Sequence, residues 1–396
     1  MLVDLENKYL VSENVNVGNG IKTLNCEEIV YSDFYRHFLH QNVPCIIKNL
    51  TSDWECQRMW VLNNKPNLEY LDSHFGNASV PVANCNEKYY NSHAKTTMLF
   101  RDFISYWHKY TRFPDSNQCL YLKDWHFLRE FPDYEIYHIP LMFASDWLNE
   151  YLLSRPDSDD YRFVYLGPKG SWTPLHADVF SSFSWSVNIC GRKKWVFFPP
   201  GEEFNLKDKF GELVYSVESE DLKDNSLYPN YKNLVKPYIL IQEVGDAIFV
   251  PSEWHHQVWN LEDTISINHN WINACNIRIV WKDLLNNLNK IKREIADCKD
   301  MEDWDNQCQL ILKSVFGMDI NEFLNFIFYI ADVRLKSLDN DDLLKLKYSS
   351  YCFGKNHIIH DLLSLSDVLN SIKENSLGFE NMNKIINLID RIKTFK

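Results

Sequence analysis

From Asp178 to Phe198 the chain reads DVFSSFSWSVNICGRKKWVFF. Phe, Trp, Val and Ile favour extended backbone and Cys190-Gly191-Arg192 supplies a turn, so the stretch reads as one strand that returns as a second. That hairpin commits the middle of the chain to a sheet. Upstream lies Trp172-Thr-Pro-Leu-His176-Ala-Asp178, and downstream the strand-like Asp246-Ala-Ile-Phe-Val-Pro251 is followed by Trp254-His255-His256.

Residues two apart on a strand share a face, so His176 and Asp178 can converge on one point, and His256 offers a second imidazole from far along the chain. Two His and one carboxylate on one face of a metal leave other positions open, as in the facial triad of non-haem Fe(II) oxygenases. With thirteen His in the chain such a pair also arises by chance, so spacing alone leaves the metal open. Lys193 and Lys194 open the apolar strand KKWVFF, and one of them must point inward or lie at the edge. A buried ammonium is costly unless it meets an anion, which a cosubstrate beside the metal would supply. The competing reading puts both lysines at a hairpin tip in water.

Three motifs in this order, Thr173-x-x-His176-x-Asp178, Gly191-x-Lys193-x-Trp195 and Pro251-x-x-Trp254-x-His256, resemble the JmjC-domain 2-oxoglutarate oxygenases. The likeness extends to VPVANC, CLYLKDWH, YRFVYLGPKGSWTPLHADVF and SEWHHQVWNLEDTISINHNW, and runs roughly from Asn42 to Ile279. Within that family these stretches are most similar to the lysyl hydroxylases that act on the eukaryotic translation release factor.

The resemblance implies a mostly β core with α elements: a double-stranded β-helix of the cupin or jelly-roll type with flanking helices and a C-terminal helical region. It implies Fe(II) as metal, 2-oxoglutarate as cosubstrate and O2 as oxidant. His176, Asp178 and His256 would hold the metal and carry catalysis. Lys193 would hold the distal carboxylate of 2-oxoglutarate, helped by Thr173, with Tyr121 and Asn270 also at the cosubstrate. Packing explains Tyr121 equally well, and interior hydrogen bonding explains Asn270 equally well. Ser186 stands where relatives often carry Asn. His255 and His269 have the opposite strand parity to His256 and Asn270 and read as structural.

An Nε-methyl-lysine demethylase is the alternative function, running the same hydroxylation on a methyl carbon. Many such enzymes carry Glu where Asp178 stands, together with chromatin-reader modules, and neither is present here. A zinc hydrolase also accepts His, Asp and His but gives Lys193 no role. A cupin-like binding module has no need of three converging ligands.

The remaining chain divides by composition. Residues 1–155 read as an α/β buttress, 156–275 as the core, and 276–396 as a helical region. Ser32 resembles an N-cap for DFYRHFLHQ, and VPCIIKNL reads as a strand. A helix is expected from Met98 to Tyr110 and a strand from Ser79 to Ala83. A polar insertion at 202–236 lacks periodicity and reads either as a flank of the site mouth or as a tolerated loop. Beyond Pro251 there is no proline, and apolar residues recur at helical spacing in VWKDLLNNLNKIKREI and INEFLNFIFYIADVRL. These stripes pack helix on helix, or form a homodimer seam.

A formal charge of −13 opposes non-specific nucleic-acid binding, which needs a basic footprint, and is compatible with attraction of a basic peptide; the resemblance implies a protein substrate, the release factor. Ten Cys without a CxxC pair, no basic-then-apolar leader and no run of eighteen apolar residues predict a cytoplasmic protein with reduced thiols and no membrane span.

Overall fold

The strand Lys193–Phe198 shows how the molecule is layered. In the computed structural model, which describes residues 1–10, 20–155, 158–346, 349–375 and 379–395, Trp195 and Phe197 pack inward with Ile46, Ile248, Val250 and Val258. Val196 and Phe198 pack outward with Leu206, Val214 and Leu222. Both faces are covered, so the strand is apolar throughout rather than alternating.

The strands of four or more residues are, in chain order, β1 (Lys22–Asn25), β2 (Cys45–Lys48), β3 (Ser79–Tyr89), β4 (Ser92–Leu99), β5 (Leu120–Trp125), β6 (Arg162–Gly167) and β7 (Trp172–His176), then β8 (Phe183–Cys190), β9 (Lys193–Phe198), β10 (Tyr238–Gln242), β11 (Ala247–Val250), β12 (His255–Asn260) and β13 (Thr264–Trp271). They form a four-stranded sheet, β7-β12-β9-β10, and a larger one, β1-β2-β11-β8-β13-β6-β5-β3-β4. The inner cluster of Trp195 and Phe197 with Ile46, Ile248 and Val250 joins the two sheets face to face, the arrangement of a jelly roll. Strands β1 to β5, all before residue 155, extend the larger sheet on both sides. The expected boundary at 156 falls on residues outside the described ones.

Gly191 makes the β8–β9 turn possible. Its φ is +75°, and a Cβ there would sit 2.1 Å from the carbonyl oxygen of Asp263. Gly191→Ala is therefore expected to cost on the order of 1–3 kcal/mol in stability, seen as a lower urea midpoint at unchanged slope. An unchanged midpoint would mean that the turn relaxes freely.

Three local expectations need correction. Ser32 is not a cap: the helical turn begins at Tyr31 after Val30 without a capping side chain, and Ser32 Oγ instead accepts from the Glu6 N–H at 3.4 Å. The helix expected from Met98 is α1 (Phe100–Arg112), because Met98 and Leu99 pair with Val80 and Ser79 in the sheet. The insertion is not a loose loop: Leu206, Val214, Leu222 and Tyr228 form a small core with Leu175, Val196 and Phe198 on the outer face of the four-stranded sheet, and its Glu203 and Lys207 lie beside Ala177 and Asp178. It also touches the β3–β4 turn, where Asn91 Nδ2 donates to Glu212 Oε2 at 3.4 Å.

The helical region comprises α2 (Ile277–Glu294), α3 (Trp304–Phe316), α4 (Ile320–Asp339), α5 (Lys355–Glu374) and α6 (Met382–Lys393). Its apolar stripes, such as Val280, Leu284, Leu288 and Ile291 of α2, are buried in the core cluster shared with the large sheet. These stripes therefore pack helix on helix and on the sheet within the chain. Arg334 on α4, fully buried, bonds Glu150 and, at 3.0 Å, Asp361 of α5, fastening these helices to the segment before β6.

Candidate active site

Strand β7 pairs with β12 so that His176 lies opposite His256, after a register irregularity between Thr173 and His176 that brings the imidazole into line. The two ring centroids are 4.4 Å apart. Asp178 lies beyond the end of β7, before a turn at Val179–Ser181, so the shared-strand reading of His176 and Asp178 is corrected: the turn, not strand parity, aims the carboxylate. One ligand atom from each of His176, Asp178 and His256 can be chosen so that all lie within 4.8 Å of one another.

Hydrogen bonds orient each donor. His176 Nδ1 faces the Pro174 carbonyl at 2.8 Å and His256 Nδ1 the Trp254 carbonyl at 3.0 Å. A carbonyl only accepts, so each Nδ1 carries the proton and each Nε2 keeps its lone pair for a metal. Burial, reinforced by His256, pushes His176 down to about 3, so it is neutral at physiological pH. Ser184 Oγ donates to Asp178 Oδ2 at 2.6 Å, leaving the other oxygen to ligate.

The turn that carries Asp178 is strained, with φ of 59° at Phe180 and 50° at Ser181. The helical region braces it. Ser181 Oγ donates to Asp283 Oδ2 on α2 at 2.7 Å, and the Phe180 ring fills the space beside Gly317, where a Cβ would lie 2.4 Å from it.

Lys193 opens β9 facing inward and is 2% exposed. Its ammonium donates to Ser266 Oγ at 2.7 Å and reaches Tyr121 Oη at 3.5 Å, both neutral groups, and burial pulls it down to about 7. Lys194 turns outward to Glu218 at 3.1 Å. Tyr121, Thr173, Asn270, Lys193 and the triad all line one cavity of about 450 Å³. Within it Asn270 Nδ2 donates to Ser182 Oγ at 3.1 Å. Ser186 also lines the cavity, and its buried hydroxyl lacks a hydrogen-bond partner among the described residues. His255 faces away toward Glu203 at 4.0 Å. His269 stacks on Trp185 with centroids 4.0 Å apart.

The cupin-like domain family matches residues 31–277. The 2-oxoglutarate and iron-dependent oxygenase JMJD4 of Gallus gallus is 49% identical over 360 residues, covering 88% of this chain and 84% of its own. The chain belongs to the cupin-like 2-oxoglutarate and iron-dependent oxygenases. The Homo sapiens JMJD4 oxygenase is 45% identical over 85% of this chain and 82% of its own. An Arabidopsis thaliana relative, 39% identical over 90% of this chain and 79% of its own, is named arginine-specific demethylase JMJ20.

The donor set of this oxygenase fits iron: two imidazole lone pairs and one carboxylate oxygen lie close together, and all three residues line the cavity. Sequence reasoning missed a second charged group in the same cavity, formed by Lys95, Lys123, Asp124 and Tyr165. The pairing of β5 with β6 shifts register between Leu122 and Trp125, so strand parity could not place Lys123 or Asp124.

Proposed function

We propose that this protein is a 2-oxoglutarate- and Fe(II)-dependent protein hydroxylase that oxidises a lysine side chain of the translation termination release factor. The observation that carries the reading is the shared cavity, in which the His176, Asp178 and His256 donors lie together with a buried lysine that has only neutral partners. In this reading the triad holds Fe(II), Lys193 receives the distal carboxylate of 2-oxoglutarate by a charge-assisted bond, and Tyr121 and Thr173 complete that end. Asn270 and Ser186 face the cosubstrate from the large sheet. The bound iron supplies activation of O2, so that one oxygen enters the substrate C–H bond while 2-oxoglutarate becomes succinate and CO2. The protein's part is to orient the two substrates and to keep bulk water out of the cavity.

The release factor as substrate rests on sequence resemblance to the lysyl hydroxylase branch. The plant relative's name favours a second reading, demethylation of a basic side chain by the same oxidation at an N-methyl carbon. The deciding experiment incubates the protein with recombinant release factor, Fe(II), ascorbate and 2-oxoglutarate, followed by mass spectrometry. Hydroxylation is expected as the gain of one oxygen atom on a lysine. Loss of a methyl group with release of formaldehyde, and no oxygen gain, would instead select the demethylase.

The cytoplasm is the proposed compartment, supported by ten cysteines that are all free thiols. Among the described residues no helix is long and apolar enough to cross a membrane. Protein purified without reductant and then unfolded is expected to react with a thiol reagent at all ten positions. A lower count, restored by reduction, would oppose a reducing compartment.

A further inference from the structure

Among the described residues, two carboxylates line the cavity: Asp178, committed to the metal in the reading above, and Asp124. Asp124 sits in the irregular stretch of β5, where the register against β6 shifts, and its own φ is 64°. A bulge re-aims a side chain, and a left-handed non-glycine residue is held at a cost in strain, a pairing found at functional sites. Asp124 Oδ1 accepts from Tyr165 Oη at 2.6 Å, while Oδ2 is bonded by Lys95. Burial alone would raise this carboxyl, but Lys123, Lys95 and these two bonds hold it below its ordinary value, so it is anionic. Tyr165, which donates to Asp124, lines the same cavity as both Asp124 and the metal-side Asp178.

We infer that Asp124 is the counter-ion for the cationic end of the substrate side chain, and that Lys95 occupies its place until substrate enters. The inference rests on the reading that the target is a basic side chain. Any lysine carbon presented to the metal carries its ammonium a few bonds further on, into a cavity where an unpaired cation is costly. Asp124 is the available anion, and its side chain is 31% exposed and so reachable from the cavity. Lys95 is suited to give way. It belongs to β4, the last strand of the large sheet, and its side chain is 45% exposed, so it can swing into water.

The test crosses two enzyme variants with paired ligands. Asp124→Asn keeps the shape and the Tyr165 bond but removes the charge; Lys95→Ala removes the competing cation. With release factor as substrate, Asp124→Asn is expected to raise KM about tenfold to a hundredfold, the worth of a charge-assisted bond. Lys95→Ala is expected to leave KM unchanged or lower it. Replacing the target lysine of a release-factor peptide by norleucine should erase the difference in binding between wild type and Asp124→Asn. An equal loss for lysine and norleucine peptides, or a Lys95→Ala protein as impaired as Asp124→Asn, would overturn the inference by making the ion pair merely structural.

Failure of the release-factor reading is seen separately, as wild-type protein that neither binds nor oxidises that factor. In that event pentylamine and 1-pentanol serve as probes in calorimetric titrations. Wild type preferring the amine, with the preference lost in Asp124→Asn, upholds the cation site. No preference in wild type sinks it.

Discussion

His176→Ala and Asp178→Ala are each expected to abolish 2-oxoglutarate-dependent turnover while leaving the protein folded. Either change leaves two donors where the iron needs three, and no other group of three candidate ligands exists among the described residues to replace them. The fold should survive for different reasons in the two cases. His176 ends β7, so its loss frees one carbonyl, that of Pro174. Removing Asp178 leaves the Ser184 hydroxyl without its acceptor, at a cost of roughly 1–3 kcal/mol. Fe(II) binding followed by calorimetry under anaerobic conditions, with circular dichroism as the folding control, separates lost metal from lost structure. A His176→Ala protein with full cosubstrate-dependent activity would remove the triad from the mechanism.

Lys193→Ala is expected to weaken 2-oxoglutarate by a hundredfold or more. One partner of a buried ion pair is worth roughly 3–5 kcal/mol when the other is left behind, and each 1.4 kcal/mol is about tenfold. The alternative partners of that carboxylate, Ser266 and Tyr121, are neutral and cannot replace the charge. Lys194→Ala should change little, because its contact with Glu218 is a partly exposed ion pair. The same residue predicts a pH dependence. Burial sets the Lys193 ammonium at about 7 in the free protein, and the bound anion requires the charged form. Below that value the charge is already present and affinity should be flat. Above it binding must take up a proton, so affinity should fall by up to about tenfold per pH unit. Titrations across pH 6 to 9, approximate limits chosen to bracket that value, would show this. A flat profile, or equal affinities for the two lysine variants, would mean that Lys193 does not face the cosubstrate.

The neutral surroundings of Lys193 also say which features were legible beforehand. The run KKWVFF left its two opening lysines inward, at the edge or at a hairpin tip in water, and only the structure, with both faces of β9 covered, shows Lys193 as the buried one. The triad was legible as residue types in order. Its geometry was not: Asp178 leaves the strand, and a register shift in β7 brings His176 opposite His256. Ser32 and Met98 misled because a local helix signal says nothing of the long-range pairing that competes with it.

The motif order and its resemblance to the JmjC oxygenases pointed to the jelly roll and to His176, Asp178 and His256 as candidate donors, while periodicity and turn residues by themselves marked the β8–β9 hairpin and the apolar stripes of the helical region. The hairpin and the stripes are consequences of side-chain alternation and turn chemistry, which act over a few residues. Only the tertiary structure decided that the insertion packs on the outer face of the four-stranded sheet, that α2 and Gly317 brace the strained turn after Asp178, and that Asp124 joins the cavity. Each of these depends on a register shift or on a contact between segments far apart in the chain, and neither leaves a local pattern to read.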